Sequence, residues 1–339
     1  MANDVFGLDI GRSFIKVVEV KVSGKKKILS AAANAPTPAG GIQTDAPMEM
    51  KKVSEAIKAV VRSSGVKGNK CNVSIVESQV VTRLIQMPNL TDKELSSAIN
   101  WEADQYIPLP LKDVNLQYQV VSKPALGKSG MMDVLLVAAP KRIVEKYVKL
   151  VRDSDLNLSA METESSSLAR ALTTPSDLPA VIVSLGAASC ELVLVKGGNV
   201  LFTRSVSTGG YALTRAVMAE FNMGQVQAEQ YKHTYGVLPD QLGGKVANVL
   251  KPLLEVVVLE ILKALEYSRN HLQGTVFSRI IVCGGGAYLP GLSEYLTTRT
   301  SLEVSLGDPW LNFEKEGVIL KIPGQGSFYS VATGLAQRV

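Results

Sequence analysis

Residues 7–24, GLDIGRSFIKVVEVKVSG, lie over residues 182–199, IVSLGAASCELVLVKGGN, at a constant offset of 175. Gly11 falls on Gly186, Ser13 on Ala188, Ile15 on Cys190, Val17 on Leu192, Val18 on Val193 and Lys21 on Lys196. Each copy reads as an apolar strand, a tight turn at Gly11 or Gly186, a second strand, a turn at Ser23-Gly24 or Gly197-Gly198, and a third strand, over 27–33 or 200–206. Polar–apolar alternation is weak over 15–20 and 192–195, the pattern of strands covered on both faces. Helical stripes follow in each half: Val53, Ile57, Val60 and Val61 in one, Ala212, Leu213, Ala216, Val217 and Phe221 in the other. Two α/β halves of one plan predict a duplicated, bilobal chain with a ligand cleft between the lobes.

Residues 84–162 have no counterpart in the second half. A helix opens there with Thr91 as N-cap and Glu94 three residues later, a capping box, and its apolar face is read as Leu95, Ala98, Ile99 and Tyr106 with Trp101 at the edge. Pro108 and Pro110 stop the helix. An extended stretch over 114–121, a loop at 127–130 and a returning strand over 132–138 follow, and then a helix over 141–152 that buries Ile143, Val144, Tyr147, Val148 and Val151. The segment predicts a compact α+β insertion of two helices and about three strands, without a cluster of catalytic residue types.

Composition narrows the function classes. At 339 residues the chain is long enough for two to three folded units, and 46% hydrophobic against 20% charged residues makes it globular. Thirty-six Lys and Arg against 31 Asp and Glu leave +5, dispersed rather than gathered in an arm, which argues against dedicated nucleic-acid binding. Apolar runs stop short of the roughly 20 residues that span a bilayer, the strongest, 256–259, being bracketed by Glu255 and Glu260. Asp4 and Asp9 interrupt the N-terminus before a secretory signal can form. Cys71, Cys190 and Cys283 sit in separate strand-like segments, as reduced, buried thiols of a cytoplasmic protein do. His233 and His271 show neither zinc spacing nor the makings of a Ser-His-Asp triad, and Lys25-Lys26-Lys27 reads as a solvated hairpin tip.

Phosphate chemistry fits the glycine turns. At Gly11 and Gly186 a polyphosphate meets main-chain N–H groups, and two such hairpins grip it from opposite lobes. Asp9 ends the first strand, placed to hold a hydrated Mg2+, with the Ser13 hydroxyl and the Lys16 cation nearby. A third element, RIIVCGGGAYLPG over 279–291, runs a buried strand into Gly284, Gly285 and Gly286 and then a helix whose N-terminus favours negative charge. Ser207-Thr208-Gly209-Gly210 is a further glycine-rich helix start, and on the helix over 252–271 Glu260 and Lys263 form either a nucleotide-binding pair or a solvated ion pair.

GLDIGRSFIKVVEV, IVSLGAASCELVLV, VCGGGAYLPGL and the terminal SVATGLAQR together resemble the first phosphate, second phosphate, adenosine and second connecting motifs of the actin-like ATPase superfamily. The insertion, with QMPNLTDKELSSAINWEADQYIPLPLKDVNLQYQVV, resembles the 1C (SHS2) subdomain of its FtsA-like branch and favours the PilM family of type IV pilus assembly proteins. This resemblance implies an α/β, duplicated actin-like (ribonuclease H-like) bilobal fold. Its first lobe (1A) takes residues 1–83, 163–178 and 325–339, and its 1C insertion 84–162. The second lobe (2A) takes 179–220 and 252–324, and a small helical subdomain (2B) takes 221–251.

It further implies a cytoplasmic scaffold, peripheral to the inner membrane, that binds ATP or ADP with Mg2+. A groove between 1A and 1C would take the N-terminal cytoplasmic tail of the membrane protein PilN; other pilus components and self-association remain open. Carried over residue by residue, Asp9 (through water to Mg2+), Gly11, Arg12, Ser13 and Lys16 form the first phosphate loop, and Gly186, Ala187, Ala188 and Ser189 the second. Gly209 and Gly210 sit by the phosphates, Glu260 and Lys263 by ribose or adenine, and Gly284, Gly285, Gly286 and Tyr288 against adenosine.

One departure matters. The second phosphate motif of the superfamily usually begins with Asp, where this chain has Ser184. Losing such a support weakens metal binding by about 10 to 100-fold, which impairs turnover more than binding. The expectation is slow or undetectable hydrolysis, with Glu162 and Glu164 as base candidates by location alone. Two other readings stay open: an FtsA-like membrane-anchoring cell-division protein, and a sugar or metabolite kinase of the same superfamily.

Overall fold

A computed structural model describes residues 5–24, 26–124, 130–272, 274–322 and 324–338. Asp4, Lys25 and residues 127–129 of the expected loop lie outside them. The first lobe opens with β1 (Val5–Ile10), β2 (Phe14–Ser23), β3 (Lys26–Pro36), α1 (Pro47–Ser64) and β4 (Lys70–Ile75). Next come β5 (Val81–Pro88), α2 (Asp92–Asp104), β6 (Val114–Ser122), β7 (Met131–Pro140), α3 (Lys141–Asp153), β8 (Asn157–Thr163) and α4 (Glu164–Leu172). The second half runs β9 (Ala180–Leu185), β10 (Cys190–Lys196), β11 (Asn199–Val206), α5 (Gly210–Phe221), α6 (Gln225–Tyr235) and α7 (Lys245–His271). It ends with β12 (Arg279–Cys283), α8 (Leu292–Thr300), β13 (Glu303–Leu306) and α9 (Ser330–Ala336).

Among the described residues, two five-stranded sheets share one order, β3-β2-β1-β4-β8 and β11-β10-β9-β12-β13, and a three-stranded sheet, β5-β7-β6, stands apart. The repeat extends to single residues. The hairpins close on Ile10 opposite Ile15 and Leu185 opposite Cys190, and each second strand bulges against its third at one repeat position, between Glu19 and Val20 and between Leu194 and Val195. The central strands are buried on both faces, which accounts for their weak alternation.

The predicted capping box forms: Thr91 Oγ1 accepts from Glu94 N, and Glu94 Oε2 accepts from Thr91 N at 2.8 Å. The helix buries Leu95, Ile99 and Ala103, whereas Trp101 is 82% exposed and Tyr106 points largely outward. The expectation at these two aromatics is corrected because a three-turn helix on a three-stranded sheet covers only one stripe. Packing corrects the helix over 141–152 as well. Ile143, Tyr147, Leu150 and Val151 of α3 join Ile57 and Val60 of α1 in the first lobe's core, β8 pairs with β4 of that lobe, and Val148 faces out. The separate core of the insertion gathers Ile85, Leu95, Ile99, Val134 and Leu136.

Helices α4 and α9 pack on each other between the large sheets, α9 against β1 and β2 and α4 against β10 and β11. Gly334 permits the approach, since a Cβ there would lie 2.0 Å from Ser167 O. A buried ion network ties the helices: Glu162 accepts from Arg170 Nη1 and Nη2 at 2.6 and 2.8 Å and from Ser167 Oγ at 2.7 Å, and it also pairs with Arg338. Cys71, Cys190 and Cys283 are free and buried, and burial pushes the thiols of Cys71 and Cys283 up to about 12. No described helix is long and apolar enough to cross a membrane.

Candidate functional site

Both β-hairpins point into a cavity of about 620 Å³ between the lobes, a volume in the range that encloses a small ligand. Gly11 N donates to Phe14 O at 3.0 Å and Gly186 N to Ser189 O at 2.9 Å, the same turn twice. A Cβ at Gly11 would meet Phe14 O at 2.8 Å, and one at Gly186 would meet Ser189 O at 3.0 Å. Each glycine is therefore required first by its own hairpin, a reason prior to any ligand's approach.

The first hairpin supplies charge. Lys16 Nζ donates to Asp9 Oδ2 at 2.9 Å and lies 4.5 Å from the Phe328 ring centre, so a buried carboxylate and its cation form the cavity floor. Arg12 Nη1 donates to Gly40 O at 3.1 Å, and Ser13 Oγ crosses to the second lobe, 2.6 Å from the Tyr211 hydroxyl. The second hairpin supplies backbone and hydroxyls. Gly210 N donates to Gly186 O and Tyr211 N to Ala187 O, seating the N-terminus of α5 on the turn, and a Cβ at Gly209 would lie 2.6 Å from Ala188 C and Ser189 N. The positive end of α5 thus joins Lys16 beside the cavity.

Asp9, Gly11, Arg12, Ser13, Lys16, Gly186, Ala187, Ala188, Ser189 and Gly210 line this one cavity, and Gly209 packs directly behind it. Gly284, Gly285, Gly286 and Tyr288 line its far side. Gly284 has φ of 84°, and a Cβ at Gly286 would lie 2.5 Å from Leu185 Cγ, so these glycines seat the turn on the end of β9. The helix expected over Leu292, Tyr295 and Leu296 forms as α8, set back from the glycines. A 3-10 turn and Pro290 intervene, and α8 begins only at Leu292.

Glu260 and Lys263 stay outside the cavity. Glu260 pairs with Lys263 at 2.7 Å and with Arg204 at 3.0 Å on the surface of α7. The same Glu-x-x-Lys spacing recurs at Glu229 and Lys232 on α6, and both of these line the cavity. Lys232, nearly fully buried, donates to Glu229 Oε1 at 2.7 Å, Thr214 Oγ1 at 2.9 Å and Gly210 O at 3.3 Å. Burial alone would raise the Glu229 carboxyl, but hydrogen bonds from His233, Lys232 and Thr214 bring it down to about 2. Spacing cannot tell the two pairs apart; the packing of α6 against α5 does.

Four carboxyl groups crowd the floor. Glu164 lines the cavity, and burial followed by the charges of Asp9, Glu191 and Glu77 holds its carboxyl well above the usual range. Glu191 is pushed up to about 7 by burial, against hydrogen bonds from Ser189 and Ser205. Glu162, the other base candidate, is locked by Arg170 and Arg338 away from the cavity; those partners outweigh burial and lower its carboxyl. No group of three or more His, Cys, Asp or Glu among the described residues is arranged to hold a metal by itself. A metal–phosphate unit still fits, because Glu191, which lines the cavity, has its buried Oε2 without a hydrogen-bond partner while Lys16, Lys232 and α5 bring positive charge.

A family model described as Type IV pilus assembly protein PilM matches residues 7–339. Among solved structures, a PilM-PilN type IV pilus biogenesis complex aligns at TM-score 0.83 and 26% identity, covering 98% of this chain and 97% of that one. Ethanolamine utilization protein EutJ from Carboxydothermus hydrogenoformans aligns at TM-score 0.56 and 17% identity (98% and 88% covered). MreB5 of Spiroplasma citri bound to AMPPNP aligns at 0.53 and 14% (97% and 94%). A curated relative, ethanolamine utilization protein EutJ of Escherichia coli (strain K12), is 21% identical over 149 residues; the match takes 42% of this chain and about half, 49%, of that protein. The bilobal fold expected from the repeated hairpins, actin-like by the family resemblance, is shared with these structures.

Proposed function

From the premise that this chain belongs to the PilM family of type IV pilus assembly proteins, and so is an actin-like scaffold of pilus assembly, we propose that it binds ATP or ADP with Mg2+ between its lobes. Hydrolysis is slow or absent in this reading. The observation that carries it is the pair of superposable hairpins facing each other across one cavity, with the cations of Lys16 and Lys232 beside it. Phosphates would meet the Gly11–Lys16 and Gly186–Ser189 turns, and the base and sugar would lie between Gly284–Tyr288 and the Glu229–Lys232 pair. Mg2+ would screen the phosphate charge and be held through water by Asp9. Of the two base candidates, Glu164 is held well above the usual carboxylate range by burial and then by its carboxylate neighbours, and Glu162 is engaged by arginines.

The partner in this reading is the N-terminal cytoplasmic tail of a PilN-like inner-membrane protein, which would place the scaffold on the cytoplasmic side, at the membrane through that tail. The similar complex pairs PilM with PilN, and in this chain β6 is an edge strand of the insertion, half-exposes Tyr118 and runs beside α3 of the first lobe. An extended tail adds to such an edge by main-chain hydrogen bonds. Calorimetric titration of the full chain with ADP, ATP and a tail peptide tests all three claims. Absence of adenine-nucleotide affinity at millimolar concentration would sink the first, brisk phosphate release the second, and no retention of the peptide the third.

A further inference from the structure

The two hairpins differ at the two positions that face the cavity. Pairing sets Asp9 opposite Lys16 and Ser184 opposite Glu191, and all four residues line the cleft. Directly opposed residues of an antiparallel pair project from one face with Cβ atoms about 4.5–5.5 Å apart. A carboxyl at 191 therefore rises next to the place a carboxyl at 184 would occupy.

Glu191 is 4% exposed. Ser189 Oγ and Ser205 Oγ donate to its Oε1 at 2.7 and 2.9 Å, which fixes the plane of the carboxyl, and its Oε2 has no hydrogen-bond partner. A buried acceptor left empty is unfavourable unless a ligand or water completes it. A structural carboxyl would gain from closing both oxygens; this one lines the cavity and leaves one oxygen unpartnered. We propose that Glu191 takes the place left by Ser184 and holds, through water, the divalent cation of a nucleoside di- or triphosphate bound between the hairpins. Its ionisation near neutrality suits the role, since a cation need displace only a loosely held proton. The two hairpins thereby keep two acids at their facing positions, Asp9 and Glu191, although the second has changed strand.

This inference rests on the nucleotide-binding reading, and the experiment separates the two. ADP affinity of the full chain is measured by calorimetry with Mg2+ and with EDTA, for the parent, E191Q, E191D and S184D/E191Q. The parent should bind ADP more tightly with Mg2+. E191Q should lose about 10 to 100-fold of that advantage while keeping its affinity in EDTA, and S184D/E191Q should regain it. E191D keeps the charge but shortens the reach, so it should lose part of the advantage; it serves as the readout if E191Q does not fold. A parent without a Mg2+ advantage, or variants that keep it in full, would overturn the role of Glu191 and leave nucleotide binding standing. No ADP binding by the parent under either condition would overturn both.

Discussion

The first and second hairpins are one backbone carrying two chemistries. Turn hydrogen bonds, cross-strand register and even the bulge recur at the same repeat positions. The side chains at the facing positions do not recur: Asp9 and Lys16 neutralise each other in one lobe, while Ser184 leaves Glu191 without a cation in the other. Apolar strands and a glycine at which a Cβ would crowd the turn's own carbonyl are enough to specify the hairpin. The chemistry at the facing positions rests on two residues per copy, Asp9 and Lys16 in one and Ser184 and Glu191 in the other.

Substituting residues in the two copies breaks this comparison in graded steps. Position 7 is glycine because a Cβ there would lie 2.0 Å from Ala332 O, whereas its counterpart Ile182 fills a core. Gly7→Ile, the second lobe's residue in the first, should destabilise the chain by at least about 3 kcal/mol in denaturant unfolding or yield no soluble protein. Lys16→Ala leaves Asp9 buried without its cation and should cost about 3 kcal/mol. The same variant should weaken ADP binding by at least about tenfold, while a tail peptide is still retained if partner capture is independent of the cleft.

Glu191→Gln should act in the opposite direction. The folded carboxyl sits near 7, above its unfolded value, so its protonation stabilises the fold fully below the ordinary carboxylate range and loses that contribution as pH rises through about 7. The variant should therefore melt higher than the parent at pH 8, by on the order of 2 kcal/mol, with the difference shrinking toward pH 5. Equal melting curves at both pH values would show that the carboxyl is not strained by burial. Ser13→Ala removes the hydroxyl that bridges to Tyr211 across the lobes and should cost the ligand-free protein only about 1 kcal/mol. A much larger loss would mean that this bridge, rather than α4 and α9, holds the lobes together.

Much of the fold was legible because local rules and tertiary packing agreed. A repeat of apolar strand, glycine and apolar strand has one compatible pairing, and Thr91 with Glu94 announces a helix start that the structure keeps. The two glycine turns at the cavity were legible for the same reason. The Glu229–Lys232 pair was not: residues three apart on a helix look the same in sequence whether they face solvent or a cavity, and Glu260–Lys263 carries the same spacing. Trp101 and Val148 went astray similarly, because periodicity names an apolar stripe without saying where its edge falls.

By itself, then, the sequence determined the duplication, the turns, the capped helix and the residues of both hairpins, since each is set by interactions within a few residues or by a register that repeats. Only the tertiary structure decided that α3 belongs to the first lobe's core, that Glu162 is a clasp between helices, and that Glu191 stands beside Ser184 at the cavity. Those facts depend on which surfaces meet across tens or hundreds of residues, and burial, not spacing, sets the charge of a carboxyl once they have met.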